Sequence, residues 1–273
     1  MKTKLKRLLK NIVLPLSQRQ TPAGELVTTP AAETAAVRWK SLLTVALCAV
    51  GLAAFAAEPE AVQLWENGPY FATCNVGANE PQEPGYYFWW GDTVGYTNSG
   101  SAWLSVKDGT TSIKFSSSDA TAGQTYNHDN TWLTDNKWID GSGNLVVSDD
   151  AATNRDAARA HLGAPWRMMT KEELDALVAN CTNEWTTLNG VYGRKVTGKG
   201  AYASNSIFFP ANGYGKDSGL DNAGTEGNYW SSTPDQSTIC NAWYFVFTPS
   251  QVVRGCYDGR FIGHAVRPVR DAQ

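Results

Sequence analysis

Short apolar runs separated by glycine, proline and small polar residues dominate the chain after residue 60, and that punctuation predicts short strands joined by turns. Tyr70, Phe71, Tyr86, Tyr87, Phe88, Trp89 and Trp90 give segment 70–92 strand character. Segments 185–188 and 191–196 flank Asn189-Gly190, the dipeptide that most readily adopts the positive φ angles of a tight hairpin turn. Further strands are predicted at 207–209, 229–232, 242–248 and 265–269. Within 242–248 a period of two sends Trp243, Phe245 and Phe247 to one side and Tyr244, Val246 and Thr248 to the other. The large aromatics make the first side the core face, which turns Tyr244 and Val246 outward.

Two stretches break this rhythm. Residues 151–161 predict a short helix stopping near Gly163. Thr170 and Glu173 have the spacing of a capping box, which satisfies two amide donors at a helix start, and Leu174, Leu177 and Val178 then share one helical face. From 93 to 150 glycine, serine, threonine, asparagine and aspartate prevail, with single tryptophans at 103, 132 and 138. That composition predicts a long loop anchored by its tryptophans, since a flexible linker carries no such apolar side chains. Short strands, long loops and two helices together indicate an α+β domain.

The 11 tryptophans and 25 glycines among 273 residues exclude disorder for most of the chain, because aromatic area on this scale supports a packed core. Charge changes the picture once it is divided along the chain. Residues 1–57 hold eight bases and two acids, leaving fifteen bases against twenty-four acids in the remainder. An acidic body of that kind argues against nucleic acid as a partner. Lys2, Lys4, Lys6, Arg7, Lys10, Arg38 and Lys40 precede the mostly apolar run 42–57, which ends in the small-residue pattern Ala54-Phe55-Ala56. This is the arrangement of an export signal, and the run falls short of the roughly 20 apolar residues a spanning helix needs. Residues 1–57 are therefore read as a signal peptide or N-terminal anchor and 58–273 as the working domain. A secreted or cell-surface location follows, with membrane attachment only through an uncleaved N-terminal segment.

Export places Cys74, Cys181, Cys240 and Cys256 where disulfides form. Cys74 and Cys181 are read as a structural bridge or as two buried thiols. No C-x-x-C spacing exists and the histidines are scattered, so neither a metal nor another cofactor is expected.

Five stretches carry a family resemblance. They are Ala72-Thr73-Cys74-Asn75-Val76-Gly77-Ala78, Tyr87-Phe88-Trp89-Trp90-Gly91-Asp92, Trp166-Arg167-Met168-Met169-Thr170, Tyr229-Trp230-Ser231-Ser232-Thr233 and Val266-Arg267-Pro268-Val269-Arg270. In order and spread they resemble the exported Fibrobacter succinogenes major paralogous domain family. Met169 departs from the family's usual proline, and Trp89 from its common small residue. The resemblance implies a C-type-lectin-like fold with a small twisted antiparallel sheet, two helices and long irregular loops. The calcium-dependent sugar motifs of true C-type lectins are missing, so no calcium site of that kind is expected.

The C-terminal stretch also resembles the variable repeat of proteins diversified by retroelements. The frame runs through 229–233, Trp243, Phe245, Phe247 and 263–270. Between its members stand Thr238, Ile239, Cys240, Tyr244, Val246, Val253, Arg254, Gly255, Cys256, Tyr257, Asp258, Phe261 and Ile262. Each can be reached from an AAC codon by changing adenines alone; ordinary drift within a paralogous family is the competing account. All of these except Gly255 are the candidate ligand-contact residues of a face in 237–262, because exposed apolar side chains gathered together mark contact surfaces. The expected partner is a protein or glycan at a cell surface.

Other classes fit less well. A formylglycine-generating-type oxidase wants paired reactive cysteines or a metal, while Cys240 and Cys256 lie in the replaceable stretch. His128, His161 and His264 accompany no nucleophile motif such as G-x-S-x-G. His161 is read as a capping or solvent residue, His264 as a strand-end residue, and Arg167, Arg267 and Arg270 as members of structural ion pairs. A fimbrial or surface-assembly subunit is the structural alternative. The contact face requires that Tyr244, Val246, Tyr257 and Phe261 are not all sealed from water.

Overall fold

The computed structural model describes residues 59–120 and 128–272. The export segment inferred at 1–57 lies outside the described residues. The first third holds β1 (Ala61–Gln63), β2 (Tyr70–Ala72), β3 (Tyr87–Phe88), β4 (Tyr96–Asn98), β5 (Trp103–Ser105) and β6 (Ser112–Ile113). Next come α1 (Asn130–Asp135), α2 (Ala157–Leu162), β7 (Arg167–Met168), α3 (Lys171–Asn180), β8 (Cys181–Leu188) and β9 (Val191–Gly198). The last third holds β10 (Ser206–Pro210), β11 (Tyr214–Lys216), β12 (Gly219–Asp221), β13 (Gly227–Pro234), β14 (Asn241–Phe247), β15 (Val252–Gly259), β16 (His264–Ala265) and β17 (Pro268–Arg270).

An eight-stranded sheet in the order β15-β14-β13-β16-β3-β4-β5-β6 forms the centre. Its neighbours are antiparallel except β13 and β16. A four-stranded sheet, β1-β2-β17-β7, joins the two ends of the described chain, and β10-β9-β8 makes a third sheet. Among the described residues strand accounts for about 38% and helix for about 12%, so the described part is mostly β. The α+β expectation, with its small sheet, two helices and irregular loops, is overturned. The physical reason lies in strands that the sequence pattern does not show: β11, β12 and the eight residues of β15, where no strand was expected, and the short runs within 93–150. There β4, β5 and β6, two or three residues each, extend the central sheet, and runs that short show no readable period. Trp103 and Phe115, buried beside them, supply the apolar area that holds these strands down.

The local signals performed better. Asn189 and Gly190 take φ of 49° and 83° in the turn between β8 and β9, and the strands on either side run longer than their apolar residues suggest. Thr170 and Glu173 close the capping box of α3, burying Leu174 and Leu177. The helix expected at 151–161 begins later, at Ala157, because Asp156 caps it by accepting the Arg159 N–H, and it ends at Gly163 as expected.

Both faces of the central sheet are covered. Tyr229, Phe245, Phe247 and Ala265 pack on one side with Leu174, Leu177, Val196 and Phe209. Trp90, Trp230, Ala242 and Ile262 pack on the other with Leu133 and Met168. The resembling motifs supply the internal ties. Trp230 Nε1 donates to the Phe88 carbonyl at 2.9 Å while Trp90 Nε1 donates to the Ser231 carbonyl at 3.0 Å. Arg267, fully buried, donates to Asn75 Oδ1 and to the carbonyls of Ala72, Thr73 and Phe208. Arg267 thus bonds carbonyl oxygens where a carboxylate partner was expected. Arg167 does pair with Glu173 and Asp271, and Arg270 lies over the Tyr70 ring.

The Cys74–Cys181 bridge is not formed, and all four cysteines of the domain are free thiols. Cys181 is packed in the first core, where burial pushes its thiol up to about 11. Cys74 is half-buried in the turn after β2.

Candidate binding face

The ladder between β14 and β15 decides which C-terminal side chains meet. Trp243 pairs with Tyr257, Tyr244 with Cys256, and Val246 with Val253. Two residues on β14 therefore span three on β15, a bulge at Arg254 and Gly255, where Gly255 takes φ of 69°. Glycine adopts that angle without the steric cost other residues meet. Because directly opposed residues share a sheet face, the extra residue rephases β15. Val253, Cys256 and Asp258 line up with Val246, Tyr244 and Ala242, whereas Tyr257 joins Trp243 on the opposite face.

The first of these faces converges on His264. Its side chain is 0% exposed. The Tyr244 ring stacks on it with centroids 4.8 Å apart, Trp230 meets it edge-on at 4.1 Å, and Tyr214 tilts against it at 6.2 Å. His264 Nε2 lies 3.3 Å from Asp258 Oδ2, and neither ring nitrogen makes a hydrogen bond. Burial pushes the Tyr244 hydroxyl well above its usual range, and the charges of Asp258, Cys256 and Glu226 add to that effect. Burial raises Tyr214 as well, followed by Asp221, Glu226 and Asp258. The Cys256 thiol is raised by burial, then by Asp258 and Glu226. The patch is therefore a tyrosine-walled, electronegative surface, able to stabilise positive charge.

On the opposite face Trp243, expected in the core, is only half-buried. Lys171 Nζ lies 4.9 Å over its ring and Tyr257 meets its edge at 5.7 Å. Phe245 and Phe247 keep their core places.

The candidate contact residues thus divide. Ile239 and Tyr257 are 50% and 49% exposed. Thr238, Cys240, Tyr244, Val253, Cys256, Asp258 and Phe261 are half-buried. The side chain of Arg254 lies outside the description. Val246 and Ile262 are buried at 5% exposure each, which removes them from the contact face. An alternating strand sorts core from surface only when one sheet face is open, and here both are covered around Val246. The loop carrying Thr238, Ile239 and Cys240 is tied from within: Asp235 accepts from Ser237, and the fully buried Arg260 donates from Nε to the Asn241 carbonyl. Burial lowers the Arg260 guanidinium to about 10.

Residue-by-residue reading missed His264, Tyr214 and Glu226 as parts of one cluster. Their separation in sequence conceals it, and only the aromatic character of Tyr214 beside Gly213 and Gly215 hinted at a packed turn.

No family model, curated protein or solved structure matches the chain. Its chemistry is therefore judged from geometry. Among the described residues no group of three or more His, Cys, Asp or Glu side chains is placed to hold a metal ion, and no helix is long and apolar enough to cross a membrane. One surface cleft, of about 570 Å³, is lined by α1, the Asp140 turn and Pro234 and Gln236, next to the 237–240 loop, and another, of about 510 Å³, by β8 and β10.

Proposed function

We propose that the domain is an exported binding module whose contact surface is the β14–β15 edge of the central sheet with the 237–240 loop. One observation carries the reading: the bulge at Gly255 gathers Tyr244, Cys256 and Asp258, each half-buried, on one face while Phe245 and Phe247 are locked into the core behind them. A fixed backbone with replaceable outward side chains suits recognition, because rigid aromatic anchors bury area at small entropic cost. The resemblance to retroelement-diversified repeats is part of this proposal, with Val246 and Ile262 assigned to packing. A near-copy of the 3′ coding segment differing at adenines, beside a reverse-transcriptase gene, is the genomic observation that tests it; without one the domain is an ordinary paralogous surface protein.

The physical test is a display library of the full chain randomised at Ile239, Cys256, Tyr257 and Asp258. Most members should fold with Tm within about 5 °C of the parent, as surface changes do, and should yield binders to an arbitrary protein target. A library randomised at Val246, Phe245, Phe247 and Ile262 should be mostly unfolded. Loss of folding in the first library would place those side chains in the core and end the reading.

A further inference from the structure

The negatively charged cluster is more than a group of acids, because it joins two tyrosine rings and a buried imidazole whose ring nitrogens make no hydrogen bond. We infer that the Tyr214, Tyr244, Asp258 and Glu226 cluster over His264 is a subsite for a cationic side chain, lysine or arginine, presented by a protein partner. This inference rests on the binding-module reading and names the chemistry of what that module takes.

Two observations and one general property of aromatic rings point the same way. First, His264, with no exposed side-chain surface, has both ring nitrogens without a hydrogen bond, while Nε2 faces the Asp258 carboxylate at 3.3 Å. Buried polar atoms are ordinarily satisfied, so a set left open at one place marks where a partner belongs. Second, the negative charges of Asp258 and Glu226 act on both tyrosines, and Asp221 adds to them at Tyr214. Asp258 already accepts from the Gly259 N–H and Glu226 from Asn222 Nδ2, and an ammonium or guanidinium would offset the charge these carboxylates gather and donate to their remaining acceptor positions, as charge-assisted hydrogen bonds do. Third, the walls are aromatic, and a cation near a tyrosine ring gains from the ring's negative face. Asp258 is only half-buried and Glu226 likewise, so the charges are reachable from solvent. Tyr214, Glu226 and His264 lie outside the stretch read as replaceable. The subsite therefore has a fixed floor on β11, β13's leading turn and β16, and replaceable walls at Tyr244, Cys256 and Asp258.

The test uses the full chain with carbon-13 in its tyrosine and histidine rings, titrated with N-acetyl-lysine-N-methylamide and N-acetyl-arginine-N-methylamide. The controls are N-acetyl-norleucine-N-methylamide, which keeps the chain length without the charge, and neutral methyl glycosides. We expect saturable shifts of the Tyr214, Tyr244 and His264 signals with the two cationic probes and none with norleucine. Glu226→Gln and Asp258→Asn together should weaken binding at least fivefold; Glu226→Gln alone, at a half-buried site, gives a smaller loss should the double variant fold poorly. Absence of saturable shifts, equal response to norleucine, indifference to both variants, or response to glycosides alone would overturn the inference. Binders emerging from the randomised library while the cationic probes stay silent would sink this subsite and leave the binding-module reading standing. Failure of that library to fold would sink the broader reading first.

Discussion

His264 Nε2 lies 3.3 Å from Asp258 Oδ2, yet the imidazole has no exposed side-chain surface while the carboxylate is 36% exposed. The two ends of this contact should therefore respond differently to truncation. His264→Ala removes a ring packed against Trp230, Tyr244 and Tyr214 and leaves a cavity, a loss of about 2–4 kcal/mol by analogy with other large-to-small core changes. Asp258→Ala, whose pairing is screened by water, should cost less than about 1 kcal/mol. Urea unfolding of both variants measures the gap; equal losses would mean that the pair, and not the packing, holds His264 in place.

The bulge makes a second prediction. A Cβ at Gly255 would find only Trp243 Cζ3, at 3.7 Å, so space is available and the backbone angle alone resists substitution. Gly255→Ala should cost about 1–2 kcal/mol, the penalty of a left-handed conformation for an ordinary residue, and Gly255→Asn should cost less because asparagine tolerates that region. Near-native stability for Gly255→Val would show that β15 can shed the bulge. Cys256 and Asp258 would then leave the face of Tyr244.

Arg267 leads to a third. Its guanidinium reaches Asn75 Oδ1, the carbonyls of Ala72 at the end of β2 and of Thr73 just after it, and the Phe208 carbonyl on β10, and the Phe209 ring lies 4.7 Å from its centre. Removing it strands several buried acceptors at once, each worth about 1–3 kcal/mol when unmet. Arg267→Ala should cost more than about 3 kcal/mol. Arg267→Lys should recover little, because an ammonium lacks the planar fork that spans such partners. Thermal melts showing Lys as a full replacement would contradict this account.

The same residues show what a linear reading can and cannot reach. The capping box at Thr170 and Glu173 and the turn at Asn189-Gly190 were legible because their physics is complete within four residues. The family-resembling stretch around Arg267 marks an important place, but its chemistry differs from the ion pair expected there: carbonyls at Ala72, Thr73 and Phe208 are invisible in a side-chain alphabet. The short strands at 96–98, 103–105 and 112–113 fall below the length at which a period of two can be counted, and the bulge in β15 breaks the alternation of 252–259, so the mostly β character is hidden in both places. Val246 was assigned outward because one covered face was assumed. The site suffered most, since Tyr214, Tyr244 and His264 come from three strands and meet only through sheet order.

A pH experiment supplies the last prediction. Asp156 is fully buried, and its carboxylate oxygens accept from the Arg159 N–H at 2.8 Å and the Met168 N–H at 2.7 Å. Burial nevertheless dominates those bonds and raises the group from 3.8 to about 6. A raised folded-state value means the native state holds its proton where the unfolded chain has released it. The resulting stabilisation is fully present below about pH 4 and is lost as pH rises through 6, a difference on the order of 3 kcal/mol from a shift of about two units. Asp156→Asn cannot titrate and turns an amide N–H₂ toward one of the two donors, so it should be less stable than the parent by about 1–3 kcal/mol at pH 4. Because the parent alone loses stability between pH 4 and 6 at this site, the gap should narrow or reverse by pH 7. Urea midpoints of both proteins at pH 4, 5, 6 and 7 provide the comparison, and parallel curves would show that Asp156 keeps its ordinary ionisation inside the fold.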